Sequence, residues 1–142
     1  MEEANKSIFT MIIEGKIPSH KVFENDQVIA FLDINPFSSG HTLVVPKEPA
    51  RTLNDLSDES AEALGRVLPR ISRAVLSATG AKEFNVLQNN GSNAYQSVPH
   101  VHFHIIPKFK DGSGLTLGSS VTKPLENQDG TTLAGLISEL LE

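Results

Sequence analysis

Residues 98–106 read VPHVHFHII and place three of the chain's five histidines, His100, His102 and His104, at alternate positions. An imidazole can ligate a metal, attack an electrophile or move a proton, the first two only while one ring nitrogen keeps its lone pair. In an extended strand alternate side chains share a face, so the three rings would project together, about 7 Å apart, with Val101, Phe103 and Ile105 turned to a core. Three imidazoles on one face repel if protonated and lose hydration if buried, so the pattern calls for a task. A zinc site would need a further ligand, for which His41 is the candidate. A nucleophilic imidazole instead needs an acceptor for its other nitrogen, which backbone carbonyls or neighbouring histidines can supply. The preceding YQSVP offers the Gln96 amide, the Ser97 hydroxyl and loop N–H groups as donors to oxyanions. That favours attack on phosphorus and leaves the zinc reading open.

The elements that must position these rings are legible in outline. Ile8, Phe9, Ile12 and Ile13 recur at helical spacing before Gly15 and Pro18, which predicts a short amphipathic helix over 6–14. KVFEN and VIAFLD, separated by Asp26 and Gln27, predict a tight antiparallel pair. In the second strand Ile29, Phe31 and Asp33 share one face, and Val28, Ala30 and Leu32 the other. HTLVVP predicts a third strand with Pro46 ending the ladder. Residues 57–79 predict the long helix, capped by Ser57, closed by Gly80 and kinked at Pro69, with Leu64, Val67, Leu68, Ile71, Val75 and Ala78 on one stripe. EFNVLQNN and HVHFHIIP read as the last two strands, the latter ended by Pro107. A loop over 110–130 leads to a final helix carrying Leu133, Leu136, Ile137 and Leu140. The economical fold is α+β, a five-stranded antiparallel meander with one long helix and short terminal helices, in a single domain over 1–142.

Composition narrows the function classes. With 39% hydrophobic and 20% charged residues the 142-residue chain matches a soluble globular average, and no apolar run approaches the roughly 20 residues of a spanning helix. The acidic start MEEANK lacks the basic n-region of a secretory signal, so a cytoplasmic protein is expected. A net charge of -5 argues against a general nucleic-acid surface, and the absence of cysteine removes disulfides, thiolate ligands and a thiol nucleophile.

The run HVHFHII matches His-φ-His-φ-His-φ-φ, φ being apolar, at every position, and the chain resembles the histidine triad proteins. SIFTMIIEGKIPSHKVFEND, VIAFLDINP, HTLVVPK, LQNNG and QSVPHVHFHIIPK follow that family's order over about residues 7–108, leaving a tail over 109–142. The likeness is greatest to the Hint branch, which hydrolyses purine nucleoside phosphoramidates such as adenylylated amines and releases the nucleoside monophosphate. The Fhit branch, which splits dinucleoside polyphosphates, and a nucleotide-binding scaffold with incidental activity are the alternatives. The resemblance implies that His102 is the nucleophile, that His100, His104 and His41 orient it and assist phosphate and leaving group, and that Gln96, Ser97 and Asn89 line the phosphate side. It implies that Asp33 holds the ribose hydroxyls and that Ile8, Phe9, Phe31 and Ile34 wall the base, for a purine nucleotide substrate, with no cofactor. It also implies a homodimer joined across the long helix and fourth strand. Ile8 and Phe31 have a plain alternative as core, Asp33 and Asn89 as turn residues. Many microbial relatives carry Cys-x-x-Cys on the first helix, which with two histidines binds zinc. Here those positions are Ser7 and Thr10, so no zinc is expected and His41 and His100 are left for polar roles.

Overall fold

A computed structural model describes residues 7–120 and 122–142; the acidic start at residues 1–6, and residue 6 of the first expected helix, lie outside the described residues. The order of elements is α1 (Ile8–Ile13), β1 (Lys21–Glu24), β2 (Val28–Leu32), β3 (Thr42–Pro46), α2 (Asp58–Thr79), β4 (Glu83–Gln88), β5 (Phe103–Lys108) and α3 (Asn127–Leu140). Among the described residues no helix is long and apolar enough to cross a membrane.

The five strands form one antiparallel sheet in the order β1-β2-β3-β5-β4. The expected meander therefore holds for β1 to β3 only. After α2 the chain returns to the far edge as β4, and β5 inserts between β3 and β4, so the histidine segment sits in the middle of the sheet. Strand periodicity decides which face a side chain takes but not which neighbour a strand chooses, so this order was not available from the pattern.

Alternation along β2 sorts its residues as the pleat requires. Val28 and Ala30, with Val44 and Ile105, pack against Leu64, Val67, Ile71 and Val75 of α2. Each of those helix side chains contributes about 1.5–3 kcal/mol relative to exposure. Ile29 and Phe31 pack on the opposite face with Leu43, Val45 and Phe9 of α1. The α2 ends follow local chemistry: the Ser57 hydroxyl accepts the N–H of Ser60, and Gly80 closes the helix at φ 76. The helix runs unbroken through Pro69. Of the expected stripe, Leu68 is half-buried and Ala78 is exposed.

Pro46 is the last residue of β3, as expected, and pairs with Val28 there, whereas Pro107 lies inside β5, paired with Phe84, and that strand runs one residue further to Lys108. The pairing of β3 with β5 stops at Val44 opposite Phe103. Continuing that register would set Pro46 opposite Val101, and Pro46 has no N–H to give. Val101 instead donates its N–H to the carbonyl of Ala50 at 2.9 Å. Thus β5 begins at Phe103, and His100 and His102 precede the strand that was expected to carry all three histidines.

Gly40, at φ +90, precedes His41 and abuts the C-terminal end of α2; a Cβ there would lie 2.5 Å from Thr79 Cγ2. Gly40→Ala is expected to destabilise the protein by about 2 kcal/mol, combining the left-handed backbone with the clash. Adding Thr79→Ser, which removes only that methyl, should recover part of the loss. Urea unfolding of both variants checks this; an undiminished midpoint in Gly40→Ala would contradict it.

Candidate active site

Where β5 peels away from β3, four imidazoles and their neighbours fill the opening on the α1 side of the sheet. Phe9 of α1 is the apolar floor: its ring meets His102 edge-on at 4.9 Å between centroids, His100 at 6.3 Å and Phe31 at 5.6 Å. His102 and His104 are 4.9 Å apart, and His104 and His41 5.1 Å. The row therefore runs His100, His102, His104, His41, with His41, His100 and His102 buried and His104 half-buried.

Hydrogen bonds fix the proton on each ring, with the backbone for His41, His100 and His102 and with His41 for His104. His100 donates Nε2–H to the Pro46 carbonyl at 2.8 Å, the acceptor β3 offers where its ladder has ended, and its Nδ1 faces the Ser7 hydroxyl at 3.4 Å. His102 donates Nδ1–H to the carbonyl of His100 at 2.7 Å, which leaves its Nε2 with a lone pair. The Phe37 N–H donates to His41 Nδ1 at 3.1 Å, so the neutral His41 carries its proton on Nε2. That N–H donates to His104 Nδ1 at 2.9 Å, with the Asp33 carboxylate 3.5 Å away. His104 in turn carries its proton on Nε2. The row thus holds one ring with a free Nε2 lone pair, His102, beside one with a free Nε2–H, His104.

Burial lowers the pKa of all four rings, because a desolvated imidazolium is unfavourable. For His104, burial together with the neighbouring His102 and His41 pushes the value down from 6.5 to about 4, against an opposing pull from Asp33. The rings are therefore neutral at pH 7, the state in which an imidazole is a nucleophile.

An open cleft of about 250 Å³ reaches His102 and His104. Of the expected residues, Ile8, Phe9, Phe31, Asp33, Ile34 and Ser97 line it. Phe31 is also core, at 3% exposed, whereas Ile34 is a rim residue at 77%. Asp33 is turn former and cleft wall at once, since its Oδ1 accepts the N–H of Asn35 at 2.8 Å. His41 and His100 stand behind the lining. Gln96 does not offer the phosphate donor expected of it. Its amide donates to the carbonyls of Arg51 and Val98, and its oxygen accepts the Gly91 N–H, so the side chain is spent on pinning its loop. Asn89 is likewise outside the lining and reaches the Tyr95 carbonyl at 3.4 Å. Ile12, Ile17, Pro18, Leu43 and Val98 also line the cleft, though the sequence assigns them no part in binding. Two had a signal: Ile12 lies one helical turn from Ile8, and Leu43 shares a strand face with His41.

The donor set does not suit a metal. Asp33, His41 and His104 bring ligand atoms within 4.8 Å of one another. However, the Phe37 N–H occupies His41 Nδ1, so His41 presents a proton, not a lone pair, at the shared position. Ser7 and Thr10 offer neutral hydroxyls 3.2 Å apart beside His100 only. His41, at the opposite end of the row, is not the second histidine of such a site.

The chain is similar to known proteins in sequence and in structure. The profile described as HIT domain matches residues 14–111. The chain is 50% identical over 111 residues to the adenosine 5'-monophosphoramidase hnt1 of Schizosaccharomyces pombe, covering 78% of this chain and 80% of that one. It is 42% identical over 134 residues to the adenosine 5'-monophosphoramidase HNT1 of Saccharomyces cerevisiae, covering 94% and 80%. Among solved structures, a hypothetical protein from Leishmania major superposes with a TM-score of 0.89 at 47% identity, covering 96% of each chain. The histidine triad nucleotide-binding protein of Candida albicans does so at 0.83 and 35%, covering 95% and 97%.

The depressed imidazole pKa values have a signed consequence for stability. Between about pH 4, where folded His104 protonates, and its ordinary value of 6.5, the unfolded chain binds more protons than the folded one. Stability is therefore complete above pH 6.5 and falls as pH drops toward 4. The urea midpoint is expected to be lower at pH 5 than at pH 7.5, with a smaller difference in His104→Gln. Equal midpoints at the two pH values would contradict the buried neutral row.

Proposed function

The chain belongs to the HIT domain family, and on that premise we infer that it is a nucleotide hydrolase of the adenosine 5'-monophosphoramidase kind. It cleaves at the α-phosphorus of purine nucleoside phosphoramidates and releases the nucleoside monophosphate. The observation that carries this reading is the lone pair of His102 Nε2, held at the end of an apolar cleft by the 2.7 Å bond from Nδ1–H to the His100 carbonyl.

The proposed roles follow from the proton positions. The base lies along Ile8, Phe9, Phe31 and Ile34, and Asp33 takes the ribose hydroxyls. The arriving phosphoryl anion opposes the desolvation that keeps the rings neutral, so in the His41–His104 pair His104 takes up a proton on Nδ1 as the His41 Nε2–H turns to the Asp33 carboxylate, 3.5 Å away. His102 Nε2 attacks phosphorus as the P–N bond breaks, and the amine departs with the proton of His104 Nε2. The nucleotidyl imidazolium left on His102 keeps its Nδ1–H on the His100 carbonyl, which stabilises the new positive charge. Water then attacks phosphorus and returns a proton to the pair, and cleavage of the P–N bond to His102 frees the monophosphate and the neutral ring. Ser97, at the cleft wall, supplies a hydroxyl to the phosphate oxygens.

A homodimer is proposed from the same family premise. An uncovered apolar groove between α2 and β4, lined by Leu68, Pro69, Leu76, Phe84 and Val86, supports it.

His102→Ala should abolish turnover of an adenylylated amine while nucleotide affinity stays within about tenfold, since only the covalent step is lost. Steady-state rates and monophosphate binding measure the two halves. Unchanged turnover would refute the assignment, and faster cleavage of a diadenosine polyphosphate than of the phosphoramidate would move the chain to the other branch.

A further inference from the structure

The carbonyl of His100 and the N–H of Val101 belong to one peptide group, and across a trans peptide the two point in opposite directions. The bond from the Val101 N–H to the Ala50 carbonyl at 2.9 Å therefore also aims the His100 carbonyl at His102 Nδ1. Whatever places Ala50 sets the acceptor that assigns the proton on the nucleophilic ring. Ala50 lies in residues 47–52, which leave β3 and belong to neither strand nor helix. The same stretch accepts the Gln96 side-chain amide at the Arg51 carbonyl, 2.7 Å away. A segment without a ladder of its own thus steers two points of the histidine loop, and something else must hold it.

Glu48 holds it with both its backbone and its side chain. The backbone carbonyl accepts the Ala50 N–H at 2.9 Å. The carboxylate reaches the N-terminus of α2, where Oε1 accepts the hydroxyls of Ser57 at 2.5 Å and Ser60 at 2.6 Å and Oε2 accepts the Ser57 N–H at 3.3 Å. Those hydroxyls hold the carboxyl below its ordinary range, so it is charged at neutral pH. Capping α2 does not call for it, because Ser57 already accepts the Ser60 N–H at 3.2 Å. Bonds to an ionised acceptor are stronger than neutral ones, and α2 is fixed to the sheet by its buried face, so its end is a firm anchor for the loop. We propose that Glu48 is a positioning residue for the hydrolysis. It ties the loop to α2 so that, through Ala50 and the His100–Val101 peptide, the lone pair of His102 stays on Nε2. This rests on the hydrolase reading above.

The test measures phosphoramidate turnover, the His102 tautomer from ring nitrogen–proton correlations, and urea unfolding. The variants are Glu48→Ala, Glu48→Gln and Val67→Ala, the last a core change on the other side of the sheet from the cleft. Glu48→Ala should lose about tenfold in kcat with KM within about twofold, and its His102 should be partly protonated on Nε2. Glu48→Gln keeps an oxygen for both hydroxyls and should recover to within about threefold of the wild-type kcat. Val67→Ala should be less stable yet keep kcat within about twofold and the His102 proton on Nδ1. If Glu48→Ala does not fold, Ser60→Ala reads the same link: a fall of about threefold in kcat supports the proposal and an unchanged kcat overturns it. A loss confined to KM, an unchanged His102 tautomer in Glu48→Ala, or an equal fall of kcat in Val67→Ala overturns the proposal and leaves the hydrolase standing. A wild type that does not turn over the phosphoramidate overturns the hydrolase reading and this proposal with it.

Discussion

The bond from His102 Nδ1–H to the carbonyl of His100 is the constraint on which the site depends. It is a local bond, two residues apart, and a continuous ladder opposes it: there the side chains stand off the pleat and the carbonyl is turned to the neighbouring strand. The carbonyl is free for the ring because the chain has left the ladder. It has left because the next residue across from it on β3 is Pro46, which can accept a hydrogen bond but not donate one. His100 uses the accepting half of that position, and Val101 takes its own partner from Ala50. One proline thus converts the end of a strand into a place where imidazoles bond to the backbone and have their protons assigned.

The second requirement is that the rings stay neutral in one another's company. Phe9 does much of this, since its ring lies against both His100 and His102 and its helix closes that side of the sheet. The Ser7 cap that starts α1 also meets His100, so the placement of Phe9 and the environment of the histidine row are set by the same residue. In the proposed mechanism the phosphoryl group brings the countercharge that the protein withholds, and protonation of His104 follows the substrate instead of preceding it.

Much of this was legible in the sequence wherever the information was local. Ser57 and Gly80 bound α2 as their capping chemistry requires, and the alternation in β2 put Phe31 and Asp33 on the cleft side while Val28 and Ala30 met α2. The spacing of His100, His102 and His104 pointed to a cluster of imidazoles, which His41 joins. What could not be read was what depended on a distant partner. The start of β5 was decided by Pro46, far earlier in the chain, and the place of β5 between β3 and β4 by sheet pairing, which alternation does not encode. Gln96 looked like a phosphate donor because its true acceptor, the Arg51 carbonyl, is remote in sequence. His41 was recognised as part of the site, but the proton it carries is set by the amide of Phe37, which no residue-type pattern reveals.

The most direct measurement is the tautomeric state of each histidine in the resting protein, read from long-range nitrogen–proton correlations of the imidazole rings at pH 7. The account requires His102 to carry its proton on Nδ1, and His41, His100 and His104 to carry theirs on Nε2. A His102 ring protonated on Nε2, or on both nitrogens, would leave the proposed nucleophile without a lone pair and contradict the account at its centre.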